Sequence, residues 1–175
     1  MTKKRIKDIL IDADVVSHFI RGGQVHLLNK IFPNKILILD KVYNELKGLS
    51  SRTKEVENLI NFKIVEQIPF PTENTEMYKE YLHIRKVMFK GEGESACLAY
   101  VRHSNDIIGS SNLSDVKQYC TLHSLELLTT MDFLCEAKRK NLLTLTECDN
   151  FITNVLKSGS KLPVKTMNEY HKCPK

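Results

Sequence analysis

The stretch Ile9-Leu10-Ile11-Asp12-Ala13-Asp14-Val15-Val16 decides how the rest of the chain is read. Three branched apolar residues in a row suit a strand buried on both faces, and the acid, small residue, acid and apolar pair after them suit the opening of a helix. A strand running straight into a helix is the repeating unit of parallel α/β folds. The same grammar recurs downstream, with short apolar runs expected as strands at 9–11, 35–39, 63–67, 106–109 and 125–128. Amphipathic segments at 15–20, 25–31, 41–46, 54–60, 76–87, 94–103, 113–122, 131–140 and 147–156 separate and follow them. Asp40 is expected to cap a helix, Thr129 with Asp132 and Thr146 with Asp149 have capping-box spacing, and Gly22-Gly23 and Gly48 follow helical patterns. Pro69-Phe70-Pro71 forces an extended break before the helix at 76–87.

The 175 residues suit one α/β domain over 1–156 with a basic tail at 157–175. A hydrophobic share of 42% with few glycines and prolines excludes collagen-like and disordered classes. No apolar run approaches the roughly 20 residues of a bilayer crossing, so no membrane segment is expected. The positive start Lys3-Lys4-Arg5-Ile6-Lys7 resembles that of a signal peptide, but Asp12 and Asp14 interrupt the apolar run behind it, which points to the cytoplasm. The five cysteines contain no C-x-x-C pair. Cys97, Cys120, Cys135 and Cys148 are expected as reduced core thiols, and Cys173 is uninformative. The net charge is +5, and the tail, with five lysines against Glu169, carries +4 of it. Such a tail suits polyphosphate or simply solubility.

In a parallel sheet the ligand site lies beyond the carboxyl ends of the strands, so acids there carry the most weight. Asp12 ends the first strand, where it is either a ligand or half of a structural ion pair, and Asp14 is equally a first-turn cap. Glu45 lies beside the apolar stripe of Val42 and Leu46. Glu92 and Glu94 open a helix whose Gly91, Gly93, Ser95, Ala96 and Ala99 allow close approach. Ser110, Ser111, Asn112, Ser114 and Asp115 follow the fourth strand, with Asn112 or Ser114 also readable as the next cap. Several hard oxygen ligands converging on one place call for a cation such as Mg²⁺ or Mn²⁺.

In this order the parts resemble the PIN-domain family of metal-dependent nucleases, which includes the ribonuclease toxins of toxin–antitoxin pairs. The resemblance covers residues 8–143. It rests on Ile9 to Val16 with a first acid at Asp12, and on Lys41-Val42-Tyr43-Asn44-Glu45-Leu46 with a second at Glu45. It rests further on the Gly-Glu-x-Glu helix of Gly91 to Ala99 with a third acid at Glu94, and on Thr129-Thr130-Met131-Asp132-Phe133-Leu134 as a closing helix. It implies a three-layer α/β/α sandwich with a mostly parallel sheet of about five strands. It also implies an endoribonuclease that holds Mg²⁺ or Mn²⁺ on Asp12, Glu45 and Glu94. Where the family commonly has Asp after the fourth strand, this chain has Ser110-Ser111-Asn112, so the fourth ligand is Asn112 or Asp115. Two-metal catalysis is then short of negative charge. Asp14, Glu92, Ser110 and Ser111 would serve as outer residues, and Lys138, Arg139 and Lys140 with the tail would touch the RNA backbone. The partners implied are RNA and an antitoxin protein, with a second copy of the chain as a further partner. The alternative is a catalytically weak or inactive PIN-like module that binds RNA or protein.

Overall fold

Ile9, Leu10 and Ile11 are fully buried and form β1 (Ile9–Ile11), the middle strand of a five-stranded sheet. The computed structural model describes residues 5–48, 53–88 and 91–173, without the side chain of Asp115. Lys3 and Lys4 of the basic start and Lys175 of the tail lie outside these residues. The other strands are β2 (Ile36–Leu39), β3 (Glu66–Ile68), β4 (Ile107–Gly109) and β5 (Leu127–Leu128). Their order is β3-β2-β1-β4-β5, and every pairing is parallel. Burial follows position: β2 and β4 are buried along their whole length like β1, while the edge strand β3 carries exposed Glu66 and Gln67.

The helices are α1 (Ala13–Arg21), α2 (Leu28–Ile31), α3 (Asp40–Lys47), α4 (Thr53–Asn61), α5 (Thr75–Val87), α6 (Glu92–Ser104), α7 (Asp115–Leu122), α8 (Thr130–Arg139) and α9 (Leu145–Lys157). On one side of the sheet α1 packs on α9, and α8 packs on both α2 and α9. The long crossover from β3 to β4 contains α5 and α6, which pair with each other, and α6 lies on β1 and β2. The helical side centred on α1 is held by Phe19, Phe32, Phe133 and Phe151, whose rings meet edge to face at centroid distances of 5.0 to 5.7 Å. Gly22 lets α9 in: a Cβ there would stand 2.1 Å from the Phe151 ring.

Several expected boundaries shift for local reasons. The third strand starts at Glu66 rather than Lys63, because Lys63 takes a left-handed φ of 54° in the turn that closes α4. Asp40 is the first residue of α3 and accepts from the amides of Lys41 and Phe70, fastening α3 to the segment after β3. The capping box at Thr129 and Asp132 is present, but the second box is Thr144 with Glu147. Asp149 instead accepts from the amide of Met167 in the tail, at 2.7 Å. Among the cysteines, Cys97, Cys120 and Cys148 are buried free thiols as expected, whereas Cys135 is disulfide-bonded to Cys173. The tail is therefore strapped to α8. No helix of the described residues is long and apolar enough to cross a membrane.

Candidate functional site

The strand order reverses direction at β1, with β2 on one side and β4 on the other, so the crevice beyond the carboxyl ends of β1 and β4 is where this sheet can take a ligand. Ile11 is paired with Gly109, and Asp12 and Ser110 therefore leave neighbouring strands side by side. The Asp12 amide donates to the Gly109 carbonyl at 2.9 Å, and the Ser110 amide donates to Leu128 at 2.9 Å. Asp12, rather than Asp14, caps α1, its carboxylate accepting from the amides of Asp14 (3.0 Å) and Val15 (3.3 Å). Asp12 is only 3% exposed and Ser110 is fully buried. Burial, reinforced by the charges of Asp14 and Glu94, pushes the Asp12 carboxyl up to about 8, although the Ser110 hydroxyl and the Val15 amide donate to its charged form.

Glu45 arrives from α3 and is fixed by the start of α6, where the Gly93 amide donates to its Oε1 at 2.9 Å. Gly93 has to be glycine for this contact, since a Cβ would stand 2.7 Å from Glu45 Oε2 and 2.9 Å from Val42 Cγ2. Glu94 follows it on α6. One turn further on, the Cys97 thiol is fully buried, and its pKa is raised by that burial and then by the charges of Asp12, Glu45 and Glu94 together. Asp12, Asp14, Glu45, Glu94, Ala13 and Asn112 line one small cleft of about 140 Å³. Residues 33 and 49 positions apart in sequence thus share a surface. A larger groove of about 760 Å³ lies between α4 and the amino ends of β2 and β3; its polar lining of Asn29, Asn34, Lys35, Lys63, Glu66 and Gln67 brings a single carboxylate, where the small cleft has those of Asp12, Asp14, Glu45 and Glu94.

The structure does not gather every expected residue. Glu92 turns outward and pairs with Arg85 at 2.6 Å. Asn112 reaches the cleft, but its side-chain oxygen accepts from the Ser114 hydroxyl at 2.9 Å. Asp115 opens α7, and its side chain lies outside the described residues. Strand register places Ser110, read from sequence as an outer residue, beside Asp12, while Asn112, expected as the fourth ligand, lines the cleft. Lys138, Arg139 and Lys140 sit at the far end of α8, about 15 Å along the helix from its site-facing start. There Arg139 pairs with Glu136, and Lys140 donates to the Ile31 carbonyl at 2.6 Å. Lys172 of the strapped tail lies nearer, lining a small pocket with Ser111 and Thr130.

His18 and Thr130 were not singled out by sequence. His18 is 5% exposed and its Nδ1 lies 2.8 Å from Thr130 Oγ1, which lies 2.6 Å from Ser111 Oγ. A polar ring in the apolar stripe of Val15, Val16 and Phe19 was the available signal. Burial lowers the His18 pKa and keeps the ring neutral.

Among the described residues no three His, Cys, Asp or Glu side chains form a ready-made metal cage. The carboxylates share a cleft instead, and its donors are all oxygen, a set that fits a hard divalent cation such as Mg²⁺ or Mn²⁺.

No protein-family model matches the sequence, and no curated protein matches it. Two solved structures are similar in three dimensions. VapBC-1 from nontypeable Haemophilus influenzae aligns at 14% identity over 70% of this chain and 97% of the other, with a TM-score of 0.50. VapBC2 from Rickettsia felis, bound to a DNA fragment from their promoter, aligns at 17% identity over 69% and 97%, with a TM-score of 0.49. With its five parallel strands, their order and the likeness to VapBC-1 in hand, the chain has the PIN-like α/β/α fold.

Proposed function

We propose that this chain is a metal-dependent endoribonuclease that acts as the toxin of a toxin–antitoxin pair. The observation that carries the reading is the convergence of Asp12, Asp14, Glu45 and Glu94 on one cleft at the point where the strand order reverses. Mg²⁺ or Mn²⁺ held by Asp12, Glu45 and Glu94 would supply the acidified water and the neutralising charge that phosphodiester hydrolysis needs. The chain's own residues prepare that chemistry. Asp12, raised to about 8, would give up its proton on holding such an ion. The Ser110 hydroxyl and the Asp14 and Val15 amides orient its carboxyl, and the Gly93 amide holds Glu45. Asp14 and Asn112, which also line the cleft, serve as outer groups that orient water. RNA phosphates outside the cleft meet Lys172 and the other tail lysines rather than Lys138 to Lys140.

The toxin part of the proposal is supported by the fold shared with VapBC-1, and the partner it requires is a small antitoxin that covers the acidic cleft. The test is cleavage of mixed RNA beside single-stranded DNA, with Mg²⁺ or Mn²⁺, by the wild type and by Asp12→Asn and Glu94→Gln. RNA-selective cleavage lost in both variants supports the proposal. Cleavage that survives both substitutions, or that EDTA leaves intact, defeats it. One observation favours a second reading, a PIN-like module that binds RNA without cutting it: Ser110 supplies no charge at the fourth position. RNA binding with no measurable Mn²⁺ affinity in calorimetry selects that reading.

A further inference from the structure

We propose that His18 is a positioning residue for the candidate site, acting through Thr130 and Ser111 on the loop that follows β4. This rests on the reading of the acidic cleft as the reaction site. His18 is on α1, one turn beyond Asp14, and is buried. Its ring meets Thr130, which is fully buried at the first position of α8. Thr130 grips Ser111 twice: their hydroxyls are 2.6 Å apart, and the Thr130 amide donates to Ser111 Oγ at 3.2 Å.

The loop has little else of its own to hold it. Ser110 is tied to β5 by its amide, the Asn112 amide reaches back to Ser110 Oγ at 3.3 Å, and the Asn112 side chain engages Ser114. The group that matters is the Ser110 hydroxyl, because it donates to Asp12. Ser111, the next residue, is the point at which α1 and α8 both take hold of the loop. A buried hydroxyl pair could be satisfied by itself, but a neutral imidazole fixes the direction of the chain. With Nδ1 accepting, Thr130 donates to His18 and Ser111 donates to Thr130; with Nδ1 donating, both bonds reverse. With Nδ1 accepting, each hydroxyl donates once and accepts once, as buried polar groups require, whereas with Nδ1 donating Ser111 Oγ accepts twice, from the Thr130 hydroxyl and amide. The ring thus joins the helix that carries Asp12 and Asp14 to the loop that carries Ser110 and Asn112. The two halves of the cleft are held in one register.

Two pairs of variants test this. Thr130→Val and His18→Phe keep shape and remove the hydrogen bond, whereas Thr130→Ser keeps a hydroxyl and His18→Asn places a polar atom where Nδ1 was. The readouts are amide hydrogen exchange at Thr130 and Asn112, Mn²⁺ titration by calorimetry, and kcat and KM on RNA. Thr130→Val and His18→Phe are expected to speed exchange at both amides, weaken Mn²⁺ and lower kcat, each roughly tenfold, with KM unchanged. Thr130→Ser and His18→Asn should stay within roughly twofold of wild type. The proposal is overturned if His18→Phe leaves exchange at these amides as in wild type. It is equally overturned if His18→Asn behaves like His18→Phe, since shape alone would then be at work. Should the wild type bind no Mn²⁺ and cut no RNA, the reading of the cleft falls, and the exchange at Thr130 and Asn112 still decides whether His18 sets the loop.

Discussion

Replacing Asp12 by Asn should flatten the pH dependence of folding stability in the metal-stripped protein. The Asp12 carboxyl lies at about 8 in the folded chain and at an ordinary 3.8 once unfolded, and its burial is the first cause of the difference. Between those values the folded chain binds a proton that the unfolded chain has released, so stability falls as pH rises. Its contribution is fully present below about pH 4 and is lost progressively as the pH climbs toward 8. Each pH unit in that window costs about 1.4 kcal/mol, hence about 3 kcal/mol from pH 5 to pH 7. The amide introduced by Asp12→Asn can still accept from the backbone N–H groups of Asp14 and Val15, since Asn caps a helix as well as Asp does, but it has no proton to lose. Urea denaturation in EDTA at pH 5, 6 and 7 should therefore show a stability that declines in the wild type and is nearly level in the variant. The proton must also leave when a cation binds, so Mn²⁺ affinity of the wild type should rise roughly tenfold per pH unit up to about 8. Parallel stability curves for the two proteins would refute the assignment of Asp12 as a buried, neutral carboxyl.

Gly93→Ala should cost about 1 to 3 kcal/mol in chemical denaturation and weaken Mn²⁺, because its methyl group must displace Glu45 or Val42; unchanged affinity would mean that Glu45 is not a ligand. Cys173→Ser should lower stability by about 4 kcal/mol, the loop-closure entropy of a 38-residue separation, measured beside the wild type with and without dithiothreitol. Equal stability with and without reductant would remove the strap. Ser110→Asp should tighten Mn²⁺ roughly tenfold by adding a charge beside Asp12, and more than Asn112→Asp, whose side chain is partly engaged by Ser114. Calorimetry that ranks the two the other way would return the fourth position to Asn112. Tyr119→Phe should cost roughly 1.5 to 3 kcal/mol, since the phenol donates to the Glu80 carboxylate at 2.5 Å where Arg102 also binds it, and a loss under about 0.5 kcal/mol by denaturation would show the pair to be solvated.

What could be read from sequence was whatever local pattern determines. The run Ile9-Leu10-Ile11 announces a strand buried on both faces, and the alternation of such runs with helical stretches led to the parallel sheet. Asp12, Glu45 and Glu94 were legible in the same way, Asp12 at a strand end, Glu94 at a helix opening and Glu45 beside an apolar stripe, and they share one cleft. What stayed out of reach are choices between near neighbours that only long-range contact can make. Thr144 and Thr146 are equally good caps by composition, and packing of α9 chose the first. Ser110 and Asn112 are two residues apart, and the pairing of β4 with β1 places Ser110 beside Asp12 while Asn112 lines the cleft. The cluster at Lys138 to Lys140 reads as a basic patch in one dimension, and the fold sets it at the end of α8 with Arg139 on Glu136 and Lys140 on the Ile31 carbonyl. No spacing rule could have joined Cys135 to Cys173.

Because Ile9 pairs with Ile107, the middle strand of the sheet is made long before one of its two neighbours exists. At cellular rates of roughly 5 to 20 residues per second, β1 and its acid wait about 5 to 20 s for β4. During that interval Ile9, Leu10 and Ile11 can pair only with β2, and Asp12 has no Ser110 beside it. A nascent chain therefore has no assembled cleft until the ribosome has passed residue 110, by which point nearly two thirds of these residues have been translated. Truncated products that end earlier would lack the fourth strand, and with it the wall of the site.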